Sequence, residues 1–244
     1  MDQLDSQHHL GGSPPAQPAA IGRLAALGGI GFLVASLAGD LVIGAFPSPD
    51  TPAPQLVSFY TVHHAQVQAG GMLLAVSGVL FALFGTAVWA RIRQMAANPL
   101  LAGLALIATA LVAVTTLAAA GTYGVLGDIG GQHAIAPAAL QAWHIMGSAG
   151  SLADSASTFL FLLTAAGAGI LARAMPRWLS CSALPLAVLQ VLPGQIGFLA
   201  SLVFLPWVAA AGTWMLLGRQ ARAPEPGTPR LAHARPASDM SPVT

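Results

Sequence analysis

Two aspartates, Asp40 and Asp154, lie inside long apolar stretches of this 244-residue chain, and four histidines, His63, His64, His133 and His144, lie in the polar segments beside such stretches. These side chains exchange protons, hold cations and hydrogen-bond to ligands. The chain has no lysine, and its nine arginines fall at positions 23, 91, 93, 173, 177, 219, 222, 230 and 235, all remote in sequence from the aspartates. If ionised, Asp40 and Asp154 therefore pair only with a protonated histidine, a bound cation or a ligand. If unpaired, they stay neutral and act as hydrogen-bond donors.

The two differ in their helical neighbours. Asp154 shares a face with Ser151 at i−3 and Thr158 at i+4, with Ser155 adjacent, and a stripe of that kind faces protein or water rather than lipid. Asp40 has Ser36 at i−4 but Leu37, Ile43 and Gly44 at its other helical neighbours, so its main partner must come from another element. Asp154 and Asp40 are the candidate acid or ligand-holding (catalytic) residues, with His63, His64, His144, Ser151 and Thr158 as candidate binding residues. The plain alternative makes the aspartates structural hydrogen-bonders and the histidines headgroup-level side chains.

Other chemistries fit less well. Imidazole and carboxylate suit zinc and related ions, yet no HxxxH or HExxH spacing occurs, and adjacent His63 and His64 point about 100° apart on a helix. Neither a metal nor another cofactor is expected. A Ser151–His144–Asp154 triad can be composed on paper but lacks a nucleophile elbow. The single Cys181 excludes an intramolecular disulfide and any multi-cysteine metal site, and reads as a small apolar residue at a helix start.

The elements that position these residues follow from composition. Hydrophobic residues make up 55% of the chain and charged residues only 7%, against about 25% charged in soluble domains. The apolar runs reach the roughly 20 residues that an α-helix needs to cross a bilayer. The expected fold is an all-α, polytopic membrane helix bundle of six transmembrane helices, at about 22–46, 66–90, 99–125, 147–172, 178–193 and 196–218. Pro99 suits the first turn of the third. The fifth is short, carries Pro185 and ends at a Pro193–Gly194 turn. Two short external helices are also expected, one starting near Thr51–Pro52 and one at Pro137. The domain reading is a disordered N-terminal tail at 1–21, which lacks the basic region of a secretory signal, a six-helix domain at 22–218, and a disordered cytoplasmic tail at 219–244.

The arginines orient the bundle. With six spans, all nine lie on one side, and arginine excess marks the cytoplasmic side. Both termini are therefore expected in the cytoplasm, in a bacterial cytoplasmic (inner) membrane. Trp89 and Trp178, beside Arg91 and Arg177, suit interface anchors. Asp40 lies 17 residues after Arg23, about 26 Å along a helix, and Asp154 lies 19 residues before Arg173, about 28 Å. Both carboxyl groups thus belong to the outer half, on the side of the histidines. Small-residue stripes at Gly31, Ala35 and Gly39 and at Gly147, Ser151 and Ser155 suggest that the first and fourth helices pack inside the bundle.

Three short pieces carry a resemblance: the proline-bearing loop ending in Phe59-Tyr60-Thr61-Val62-His63, the Trp89-Ala90-Arg91-Ile92-Arg93 exit, and Pro176-Arg177-Trp178-Leu179. Over roughly residues 22–218 the chain resembles a broad group of uncharacterised six-span actinobacterial integral membrane proteins, and its lysine-free, Ala/Gly/Pro/Arg-rich composition looks like that of a high-GC genome. The resemblance implies topology and no catalytic residue.

The functional expectation is an outward-facing polar pocket for a lipophilic small molecule, with the lipid bilayer as the other partner; a net charge of +1 gives no case for nucleic acid. A buried neutral carboxylic acid could protonate an alkene or epoxide, as membrane-embedded terpene cyclases do, an analogy of chemistry alone. A transporter or proton pathway is a second reading, disfavoured because both aspartates lie towards one face. A non-catalytic membrane subunit or scaffold is the third.

Overall fold

The computed structural model describes residues 17–95, 99–132, 136–192 and 195–220. The two terminal tails, His133 and the Pro193–Gly194 turn named above lie outside the described residues, apart from Gln17–Ile21 and Arg219–Gln220, which are helical. Among the described residues there is no strand. The helices are α1 (Gln17–Ile43), α2 (Ala53–Met95), α3 (Pro99–Gly130), α4 (Pro137–Leu171), α5 (Arg177–Gln190) and α6 (Gln195–Gln220).

Five of them, α1, α2, α3, α4 and α6, are long and apolar enough to cross a membrane, which suits a multi-pass membrane protein. The helix at the expected fifth span, α5, has 14 residues with Pro185 inside it. At 1.5 Å per residue it reaches about 21 Å, short of the roughly 30 Å hydrocarbon core.

The two expected short helices are not separate. The segment after Thr51–Pro52 is continuous with the second span as the 43-residue α2, and Pro137 opens the 35-residue α4 rather than an interfacial helix of its own. No glycine or proline stands between Pro54 and Gly70 or between Pro137 and Gly147, so nothing interrupts either helix. Proline in a first turn sacrifices no internal hydrogen bond. α2, α3 and α4 are thus about 64, 48 and 52 Å long and project past the ends of α1 and α6.

Each helix packs against its neighbours in the chain, and α6 closes on α1, so the six form a ring with one diagonal contact between α2 and α4. Neighbours run antiparallel: Gly28 of α1 faces Phe84 of α2 while Gly39 faces Gly70, and Gly29 of α1 faces Val208 of α6. Alternation brings Arg23, Arg91, Arg93, Arg173 and Arg177 to one end. There the Arg91 Nε–H donates to the Ala174 carbonyl at 2.8 Å, its guanidinium lies 4.8 Å from the centre of the Trp214 ring, and Arg93 lies 5.5 Å from that of Trp89.

The glycine stripe of α1 does its work against α2. A Cβ on Gly31 would lie 3.0 Å from Leu80 Cδ1 and one on Gly39 3.2 Å from the Gly70 oxygen, while at Gly28, outside the stripe, a Cβ would lie 2.6 Å from the Phe84 nitrogen. α1 is nevertheless a wall of the ring rather than its centre, because Leu27 and Leu41 on its other face are 67% and 80% exposed. The stripe of α4 behaves differently: Gly147 and Ser151 line a cavity.

Two apolar cores result. The larger, towards the arginine end, is built on an aromatic layer of Phe32, Phe81, Phe84, Phe161, Phe204 and Trp207, with ring centroids from 5.1 Å (Phe32–Phe81) to 6.5 Å (Phe161–Trp207) apart. The smaller lies between the projecting helix ends and contains Leu56, Tyr60, Val67, Leu126 and Leu140, with Phe46, Tyr123 and Trp143 packed on it. Phe46 reaches it because α1 ends at Gly44, whose φ of +72° and N–H bond to the Asp40 carbonyl at 2.9 Å turn the chain back across the bundle.

Candidate functional site

Between the two cores lies a cavity of about 230 Å³. Phe32 and Phe204 of the large core and Tyr123 of the small one belong to its lining, so aromatic layers bound it along the bundle axis. Asp40 and Ser36 enter from α1, Thr116 and Tyr123 from α3, Ser151, Asp154 and Thr158 from α4, and Ser201 from α6. Two carboxyl groups 114 positions apart in sequence therefore share one chamber which, among the described residues, has six hydroxyls and no basic side chain. The matched depths counted from the arginines have this consequence in space.

Asp154 is held from across the helix pair. The Thr115 hydroxyl lies 3.0 Å from Asp154 Oδ1 and 3.1 Å from Ser157 Oγ. Thr115 also lies 3.0 Å from the Leu111 carbonyl of its own helix. One hydroxyl proton serves one of these acceptors well, so Asp154 keeps acceptor capacity to spare. Asp40 is an exposed residue at the edge of the cavity, and among the described residues no hydrogen bond or ion pair reaches its carboxyl. Tyr123 lines the same cavity. Thr158 is buried beside Asp154 in the same lining, and the Ser151 hydroxyl donates to the Ser148 carbonyl at 2.6 Å.

The three candidate histidines stand elsewhere. His144 is 1% exposed, in the small core. Its Nε2 is 3.1 Å from the Ser48 carbonyl, which can only accept, so Nε2–H donates. Its Nδ1 then accepts from the Tyr60 hydroxyl at 3.0 Å. The ring is stacked on Phe46 at 5.3 Å. With both nitrogens engaged, His144 joins α2, α4 and the 44–52 segment, and no Ser151–His144–Asp154 relay is assembled. His63 Nδ1–H donates to the Phe59 carbonyl at 2.9 Å and stacks on Phe59 at 4.6 Å. The exposed His64 donates to the Thr61 carbonyl at 3.1 Å. Neither lines the cavity. Among the described residues no three His, Cys, Asp or Glu side chains gather as metal ligands would.

Sequence reasoning passed over Thr115, Thr116, Tyr123 and Ser201. The tandem threonines midway along the apolar third span are the signal that could have found the first two, since hydroxyls at that depth turn inward or bond their own helix. Ser201 and Gln190, flanking Pro193–Gly194, are similar signals on α5 and α6.

A second recess of about 490 Å³ adjoins the cavity, sharing Ser151, Asp154, Phe198 and Ser201 with it. Comparison with known proteins adds no relative: no family model, no curated protein and no solved structure matches the chain.

Proposed function

We propose that this chain is a cytoplasmic-membrane protein that holds a lipophilic small molecule in the chamber between Asp40 and Asp154, in the outer half of the bilayer. The observation that carries the reading is the meeting, among the described residues, of these two carboxyl groups with six hydroxyls and no basic side chain in one cavity. A recess with apolar walls and a few converging polar groups is the usual form of a small-molecule site, and Asp154, part-buried in this one, keeps acceptor capacity to spare. The gathering of arginines at one end supports cytoplasmic termini. Cytoplasmic termini require an even number of passes, so the short α5 and its connection to α6 together make the pass that precedes α6. The aromatic layer beneath the cavity favours binding over a pathway through the bundle.

Native mass spectrometry in mild detergent tests this. Wild type is expected to carry a small molecule that Asp154→Asn retains about 10- to 100-fold less well, the loss of one hydrogen bond to an acidic group. A bare protein in both samples, with equal stability, would make Asp154 a hydrogen-bonding residue between helices and nothing more.

A further inference from the structure

Because α5 stops at Gln190, α4 and α6 are left apart above it: they scarcely touch each other along the bundle, while α5 packs on both. The side recess occupies this gap. It is lined by Leu152 and Ala156 on α4, by the end of α5, and by Gly197, Phe198 and Ser201 on α6. Its rim faces sideways out of the bundle, with Leu152 72% and Phe198 59% exposed, while its inner end is the Asp154–Ser201 wall of the cavity. The recess thus gives the cavity an opening on its flank.

One side chain in the recess is incomplete. Gln190 is 2% exposed, its Oε1 accepts from the Ser201 hydroxyl at 3.1 Å, and among the described residues its Nε2 has no hydrogen-bond partner. A buried amide nitrogen left without an acceptor costs about 1–3 kcal/mol, and an apolar residue would fill this place at lower cost. The Ser201 hydroxyl also lies 3.1 Å from the Gly197 carbonyl, and in this orientation of the amide it is the nitrogen that is left to donate to a ligand.

We infer that the ligand enters from the lipid phase through the gap between α4 and α6, and that Gln190 reads an acceptor oxygen on it. The ligand class is a neutral lipophilic molecule with a ketone or ester carbonyl, which docks that oxygen on Gln190 Nε2 while another part reaches Asp154. A membrane lipid's own ester carbonyl offers the same chemistry as a free lipophilic ketone. The inference rests on the cavity reading above and extends it by an entrance and a second anchoring point.

Photolabelling with benzophenone, a lipophilic ketone that inserts into nearby C–H bonds, tests it on the full chain in phosphatidylcholine vesicles. Adducts should concentrate on residues 151–156 and 197–201. Gln190→Met should lower them about fivefold, one net hydrogen bond. Ala156→Trp, at an exposed position on the rim that leaves the packed interior alone, should nearly abolish them. Stronger labelling in ether-linked than in ester-linked vesicles would identify a lipid ester as the resident competitor, and equal labelling a free ligand; either supports the subsite. Rim adducts still sensitive to Gln190→Met, in a protein that native mass spectrometry finds to carry no ligand, would keep the entrance while overturning the cavity reading, so the two fail separately. Labelling spread evenly over the lipid-facing helix surfaces, or insensitive to both Gln190→Met and Ala156→Trp, would overturn the proposal.

Discussion

Gly28→Val is expected to displace α1 from the bundle. The new Cβ would fall 2.6 Å from the Phe84 nitrogen and 2.7 Å from the Leu80 oxygen. Both are backbone atoms inside α2, so no rotamer change relieves the overlap; the helices must separate. Overpacking that side chains can absorb costs about 1–3 kcal/mol, and this clash belongs at or above the top of that range. The loss reaches function, because α1 carries Phe32, Ser36 and Asp40, one wall of the cavity. Reversible unfolding in detergent should show the destabilisation, together with loss of any retained ligand. Gly103 is the control: among the described residues nothing lies within 4 Å of a Cβ built there, so Gly103→Ala should leave stability unchanged or slightly raised. Equal tolerance of Gly28→Val and Gly103→Ala would mean that α1 and α2 do not approach as closely as described.

His144→Ala should be the most damaging histidine substitution, and should act on stability rather than on the ligand. It empties a buried ring site, removes the stacking on Phe46, and strands the Tyr60 hydroxyl and the Ser48 carbonyl. Cavity formation and two lost partners together amount to about 3–4 kcal/mol. His144→Phe refills the volume without the hydrogen bonds and should recover part of this, leaving a deficit of about 2 kcal/mol. Proteolysis of the 44–52 segment is a suitable local readout, since His144 is its tie to α4. Loss of ligand in His144→Ala at unchanged stability would instead place this residue in the binding machinery.

These two substitutions also mark what was legible in the sequence. The apolar runs announced the long helices because the hydrocarbon core sets a minimum length, and the arginine positions put Asp40 and Asp154 at one depth. That the two carboxyl groups line the same cavity follows once the helices close into a ring. The inward face of each helix was harder to read. In a water-soluble bundle the apolar stripe marks the core, but here lipid-facing Leu27 and Leu41 are as apolar as the interior, so periodicity carries little direction. Gly28 and Gly70 mark a close approach only when the partner helix is known.

The role of His144 was illegible for another reason. Its partners, Tyr60 and Ser48, are 84 and 96 positions away, and the projecting ends of α2 and α4 that bring them together looked like loops bearing short helices. Four prolines before Phe59 suggested interruption, yet Pro52 and Pro54 stand before or within the first turn of α2, where proline does no harm. Gln190 is the converse: its polarity at the end of a short apolar segment was visible, and its burial beside an open flank was not.

The central claim is that the Asp40–Asp154 chamber holds a lipophilic molecule. The most direct measurement is a crystal structure of the wild-type protein grown from a lipidic mesophase, with Asp154→Asn in parallel. The account predicts continuous non-protein density from the gap beside Gln190 to the space between Asp40 and Asp154, lost or displaced in the variant. A chamber holding only water in both structures, or α4 packed directly on α6 with Asp154 satisfied by protein groups alone, would contradict it.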